Sequence, residues 1–467
     1  MGSPSAMPVE APTRARPASA RPSGARPAVR AGQAQAVGPA PAPGLLGVSP
    51  GRALHDWLNS QAVNAARALR LLRDFRPGEF GQTAAAPSDA HLHAANRLLA
   101  SIRAVVAGNA AALADAAAAA MRQPDRDTLD RVSRLKDEGA GLIAQAERIW
   151  HIYSAMFAQR QGRMAVRLLA ADRIALDCYQ YVYQGLGRAR PIPSPPPLAF
   201  MEPGSGPATY RRGVRLAKLG LFPNPFPVVK VPDHRLVSPW TLGAIPHEVA
   251  HNLQADLGLW QVVPKRLAAR LLKLGLPRAV AGTWVRWQKE IFADLLSVLL
   301  IGPSYIGSLM DVVGRSPEAT VAWNPSGVHP TPFLRVLINL ELVRRMGFEA
   351  EARAMRRAWL MLHPTMRATP IPRELRRDFR RAMRETVTVL VDEPYAELGD
   401  RSLRQVVAFR RQDQQVAEEA AARLARGADP GIVPERFLLA AARHAFDRGL
   451  AEPRLIARNF YHSLGRR

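Results

Sequence analysis

Apolar residues recur at helical spacing along most of this chain. Leu54, Trp57 and Leu58, followed by Leu69, Leu71 and Leu72, form a stripe that stops at Arg76-Pro77-Gly78. Ser88-Asp89 is placed to cap a long second helix, with Leu98, Leu99, Ile102, Val105 and Val106 at helical spacing and an alanine run from Ala110 to Met121. Further helices are expected over 128–159 and 164–183. His91 and His93 are two apart, point to different helix faces, and are expected to be a surface pair without function. The pattern breaks over 190–207, where Pro191, Pro193, Pro195, Pro196 and Pro197 precede Pro203-Gly204-Ser205-Gly206-Pro207. A short helix over 210–219 follows. Val228–Val231, with a proline at either end, reads as an edge strand. Residues 284–301 read as a strongly apolar helix, and the last hundred are helical again. The expected fold is mainly α: a helical N-terminal unit, a core with a small edge-strand element, and a helical C-terminal unit.

The expected organisation is a disordered Ala/Pro/Arg-rich tail over 1–50, a helical domain over 51–187, a Pro-rich linker over 188–208, a metal-binding domain over 209–365 and a helical C-terminal region over 366–467. The tail has almost no large apolar side chain, so it buries too little surface to offset its ordering entropy.

Across 467 residues, 64 Lys+Arg against 39 Asp+Glu give a formal charge of +25. Of these cations 58 are arginines and six are lysines, a compositional habit that weakens the usual link between positive charge and nucleic acid. Arg373, Arg376, Arg377, Arg380, Arg381 and Arg384 crowd one helix with Glu374, Asp378 and Glu385 among them, which reads as a solvated face laced with intrahelical pairs. The single cysteine, Cys178, excludes an internal disulfide and a Cys-rich zinc site and permits a reducing compartment. The first thirty residues lack a continuous apolar stretch, and the uncharged run Leu295–Met310 is short and broken at Gly302-Pro303. A soluble, cytoplasmic chain without a transmembrane segment is the expectation.

The chemistry concentrates in three short segments. Pro246-His247-Glu248-Val249-Ala250-His251 is an H-E-x-x-H. Histidines four apart stand one turn apart on one helix face, where both present an imidazole to one ion, and the intervening glutamate lies beside the bound water. Downstream, Glu290 and Asp294 are also four apart, inside an apolar helix where two carboxylates are costly unless something cationic meets them. Glu290 is the third candidate ligand and Asp294 the group that orients a ligand histidine, with pairing to Arg286, Lys289 or another arginine as the alternative. In Val328-His329-Pro330-Thr331-Pro332-Phe333-Leu334-Arg335, His329 and Arg335 join Tyr305 as candidate donors to an oxyanion. His329 as a helix cap, and Arg335 paired with Glu341 or Asp294, are the structural alternatives.

H-E-x-x-H, E-x-x-A-D and H-P-x4-R together resemble the zinc metallopeptidases called gluzincins, nearest in pattern to the group of CAAX prenyl proteases and membrane heat-shock proteases. The resemblance covers about Val228 to Leu340. It implies a zincin-like core with Zn2+ held by His247, His251 and Glu290, water activated by Glu248, support from Asp294, and a peptide or protein substrate. His329 and Arg335 match the third motif. The relatives embed the site among membrane-spanning helices, their His-to-Glu spacing is longer, and Val328 stands where they carry a hydroxyl residue, so a lipidated substrate is not carried over. The competing expectations are a zinc-binding interaction protein without turnover, and a basic scaffold or nucleic-acid-associated protein with an incidental motif. Nucleic acid is disfavoured.

Overall fold

Alanine-, leucine- and arginine-rich stretches with few β-branched interruptions favour helix, and the computed structural model is mainly α. It describes residues 49–187, 191–204, 206–220, 222–363 and 369–467. The chain divides into two units, Met1–Leu54 and His55–Arg467. Of the first, the described residues are 49–54, the opening of a helix, so the tail expected over 1–50 lies outside the described residues except for its last two.

The long N-terminal helices are α1 (Pro50–Ala68), α2 (Asp89–Arg122), α3 (Arg126–Ala158) and α4 (Ala165–Leu186). Then come strands β1 (Leu198–Met201), β2 (Ala208–Tyr210) and β3 (Val228–Val231). Helices α5 (Ala244–Asp256), α6 (Leu259–Lys273), α7 (Arg278–Ile301), α8 (Ser304–Val313), α9 (Pro317–Val321) and α10 (Pro332–Arg345) follow. After them lie α11 (Glu349–Leu362), α12 (Arg373–Val387), a small hairpin of β4 (Pro394–Tyr395) and β5 (Arg401–Ser402), α13 (Leu403–Val406), α14 (Arg411–Ala425), α15 (Glu435–Asp447) and α16 (Pro453–Arg466).

Helix α7 is the axis of the larger core. Every residue from Glu290 to Ile301 is buried, as befits a helix that is apolar on all sides. It packs against α5, α6, α8, α10, α12 and α15, and α4 packs on α5 and α15. A second cluster joins α2 and α3 to the sheet, with Phe75, Phe157 and Phe226 at its centre. In α2, Leu98, Leu99, Ile102 and Val106 are buried while Val105 is 46% exposed. By length and composition alone α2 is apolar enough to cross a membrane; here it packs along α3.

Several local expectations are corrected. The 190–207 segment contains β1, and the helix expected over 210–219 is replaced by the end of β2 and a single 3-10 turn at Ala217–Leu219. Val228–Val231 is not an edge strand: β3 lies between β1, parallel to it, and β2, antiparallel, with Val229 facing Ala199 and Thr209. The flanking prolines end the strand without exposing it, and three of its four residues are buried. His91 is not a surface residue either. Its buried ring lies 2.7 Å from the Ser88 hydroxyl and 2.9 Å from the Pro196 carbonyl, so the capping serine serves the imidazole instead of a backbone N–H. On α12 the pair Arg377–Asp378 forms at 2.8 Å, but Glu385 receives Arg270 of α6 instead, at 3.2 Å.

One buried ion pair ties the C-terminal helices to the core. Arg436 on α15 places Nη1 3.0 Å from both Asp177 oxygens on α4, and its backbone N–H donates to the same carboxylate at 2.9 Å. Removing one member leaves a buried charge without a partner. Asp177→Ala is therefore expected to cost about 3–5 kcal/mol in urea unfolding followed by circular dichroism, whereas Arg377→Ala at the exposed pair on α12 leaves the midpoint unmoved.

Candidate metal centre

The site is built where α5 crosses α7. Residues Ile245 to Gln254 of α5 are all buried, so its polar side chains must be met by protein. Gln254 donates to Gln288 of α7 at 2.9 Å, which helps set the register of the two helices. Close approach at the start of α5 requires Gly243, where a Cβ would stand 2.6 Å from Ser308 Cβ on α8. At the other end, Gly302 (φ +65°) turns the chain from α7 into α8 and packs against Phe409, a place with no room for a side chain. That turn brings Tyr305 back over α7.

His247, His251 and Glu290 converge on one point. The two Nε2 atoms are 3.2 Å apart, His247 Nε2 is 3.4 Å from Glu290 Oε2, and His251 Nε2 is 3.4 Å from Glu290 Oε1. Donors about 2.0–2.1 Å from a single tetrahedral ion stand about 3.3 Å from one another. The two short distances reach different oxygens of Glu290, so the carboxylate straddles the point that the two nitrogens share, and the three residues have the proximity and chemistry to hold a divalent metal ion.

Behind it, Asp294 is fully buried and accepts from every side. His247 Nδ1 approaches Oδ1 at 2.8 Å, Arg335 donates through Nη2 to Oδ1 at 2.8 Å and through Nε to Oδ2 at 2.7 Å, and Asn339 donates to Oδ2 at 3.0 Å. The Tyr305 hydroxyl completes the set. Burial would raise this carboxyl, but the Arg335 guanidinium and the His247 hydrogen bond hold it far below the usual carboxylate range. An ionised Asp294 makes Nδ1 of His247 the donor and turns Nε2 towards Glu290 and His251.

The side chains of the site balance their charges among themselves. Burial lowers His247, but hydrogen bonds to Asp294 and Glu290 outweigh it and push the imidazole up to about 10. His251, buried and beside that charge, is pushed down to about 3. Glu290 is lowered in spite of its burial, by His247 and Arg335. At Glu248 burial outweighs the same two cations, His247 and Arg335, and pushes the carboxyl up to about 7.

All the candidate residues meet in one place. His247, Glu248, His251, Glu290, Tyr305, His329 and Arg335 line a cleft of about 390 Å³. His329 is exposed and places Nε2 3.3 Å from Glu290 Oε2, and the cap position of α10 falls to Thr331. Arg335 and Tyr305 are committed to Asp294. Two supporting groups escaped the sequence reading. Asn339 stands one turn beyond Arg335 and so was within reach of helical periodicity. Asn252 donates to the Thr209 hydroxyl at 2.7 Å and fastens β2 to α5, a contact no local pattern announces.

Two outcomes follow for metal binding. Below about pH 10 the metal-free site carries on His247 a proton that an incoming cation must displace, while His251 is already neutral. Uptake at pH 8 should release about one proton per metal, and apparent affinity should climb about tenfold per pH unit towards pH 10, as read by calorimetry in buffers of different ionisation enthalpy. Asp294→Asn removes the charge that orients His247 and should weaken metal binding about 10–100-fold in chelator competition. In comparisons with known proteins, the chain matches no family model, no curated protein and no solved structure.

Proposed function

We propose that the protein is a zinc-dependent metallopeptidase of the gluzincin type, with His247, His251 and Glu290 as ligands and Glu248 as general base. The observation that carries this reading is the convergence of the two histidine rings and the Glu290 carboxylate, with ligand atoms within 4.8 Å of one another, in a cleft that Glu248 also lines. Zinc bound there would supply a Lewis acid for the scissile carbonyl and lower the pKa of a water at the open position.

The remaining work falls to side chains. Glu248, poised near neutrality, takes a proton from the attacking water as its oxygen bonds to the carbonyl carbon, and returns it to the amine as the C–N bond breaks. His329 is the one candidate donor with an exposed ring, which suits it to the developing oxyanion. Arg335 and Tyr305 act through Asp294 as positioning residues. An extended substrate would pair with β2, since β3 is flanked on both sides. Ala208 and Thr209 line the cleft, β2 is one of the two outer strands, and among the described residues no further strand covers its outer edge.

Glu248→Gln should retain stoichiometric zinc and lose hydrolysis of an internally quenched peptide mixture by at least about a hundredfold. His247→Ala should lose both. Turnover in Glu248→Gln equal to that of the parent protein would sink the assignment, as would zinc content that ignores His247.

A further inference from the structure

Two cations stand in the wall of the same cleft with no carboxylate in ion-pair contact among the described residues, although Glu290 acts on Lys289 through space. Arg211 follows β2 directly, and Lys289 precedes the ligand Glu290 on α7; both are half-buried and both line the cleft. Their common neighbour is Trp260, at the start of α6. Arg211 Cζ lies 3.8 Å from the indole centroid and Lys289 Nζ 3.5 Å from it. At that range two like charges on one face would collide, so they flank the ring, each held by one negatively polarised face. Among the described residues neither side chain makes a hydrogen bond or ion pair.

Nearby arginines are treated differently by the fold. Arg335 is neutralised by Asp294, and Arg212 is spent on the carbonyls of Pro193, Ser194 and Pro195. Two half-buried cations fixed on one aromatic ring cost free energy that an arriving anion would recover. Their place is also informative: a peptide strand laid along β2 runs towards Arg211, and Lys289 adjoins the ligand carboxylate.

We propose that Arg211 and Lys289, braced by Trp260, form an anion subsite that selects peptides bearing a carboxylate close to the scissile bond. As a specificity site it rests on the hydrolase reading; as a binding site it can be tested apart from it. The carboxylate comes either from an Asp or Glu side chain or from the C-terminus of the peptide, and the two sources are separable.

The test uses the zinc-loaded full chain and internally quenched peptides that carry Glu, Ala or Lys at each position flanking the cut, each made with a free C-terminal carboxylate and as the amide. At one position Glu should exceed Lys by at least about tenfold in kcat/KM, and the gap should narrow as salt is raised. A gap that persists in the amides assigns the subsite to a side chain; a requirement for the free acid that amidation abolishes assigns it to the chain terminus. Arg211→Lys should keep the order of preference, and the double variant Arg211→Glu, Lys289→Glu should reverse it. Should the double variant fail to fold, the order in the parent protein decides.

The same peptides, fluorescently labelled, are titrated by anisotropy against zinc-loaded Glu248→Gln. Tighter binding of the Glu peptide with no cleavage by the parent protein removes the hydrolase reading and keeps the subsite. Cleavage and binding indifferent to Glu, Ala and Lys, on acids and amides alike, overturns the subsite and leaves the hydrolase intact.

Discussion

The Asp294 carboxylate is a full charge with no exposure to solvent, and its need for donors organises everything around it. Burying such a group is tolerable only when its lone pairs are met by positive or strongly polar partners. Here they come from three separate helices: His247 from α5, Tyr305 from α8, and Arg335 with Asn339 from α10. Satisfying one side chain of α7 therefore sets the approach of its neighbours. The candidate metal ligands inherit that precision, because His247 is held by Asp294 while Glu290 stands one turn away on the same face of α7.

This arrangement explains how arginine enters a site for a cation. Arg335 is drawn in by Asp294 and lies 3.5 Å from Glu290, so without a metal the ligand carboxylate already has positive charge beside it. The protonated His247 supplies the rest. A metal ion binding there would replace a proton instead of meeting an unbalanced anion. The site is held together by its own ion pairs, which keep the donor atoms close enough to share one ion.

The sheet supports the site from outside. A central strand, β3, reads Val-Val-Lys-Val and is buried on both sides, while β2, a strand of only three residues, is pinned to α5 by Asn252 and Thr209. The cleft thus combines a cluster able to hold a metal ion, a strand along one wall and the cations Arg211 and Lys289. Among the described residues several other arginines are spent on ion pairs and carbonyls within the fold. On α12 they lie opposite a buried face of Leu375, Phe379 and Met383, as in any surface helix.

By itself the sequence determined the helical class, the buried axis over 284–301 and the three short segments that carry chemistry, because those rest on periodicity and on spacing within one helix. Histidines four apart must share a face, and carboxylates four apart inside an apolar helix must find a partner. What only the tertiary structure decided was identity across helices. Arg335, and not Arg286 or Lys289, answers Asp294; Glu341 goes to Arg344 and Arg345; β3 is central and β2 is the edge; His91 turns inward to Pro196. Each of these depends on which element lies beside which. That choice is made by side-chain packing summed over the whole core, so no local stretch of sequence records it.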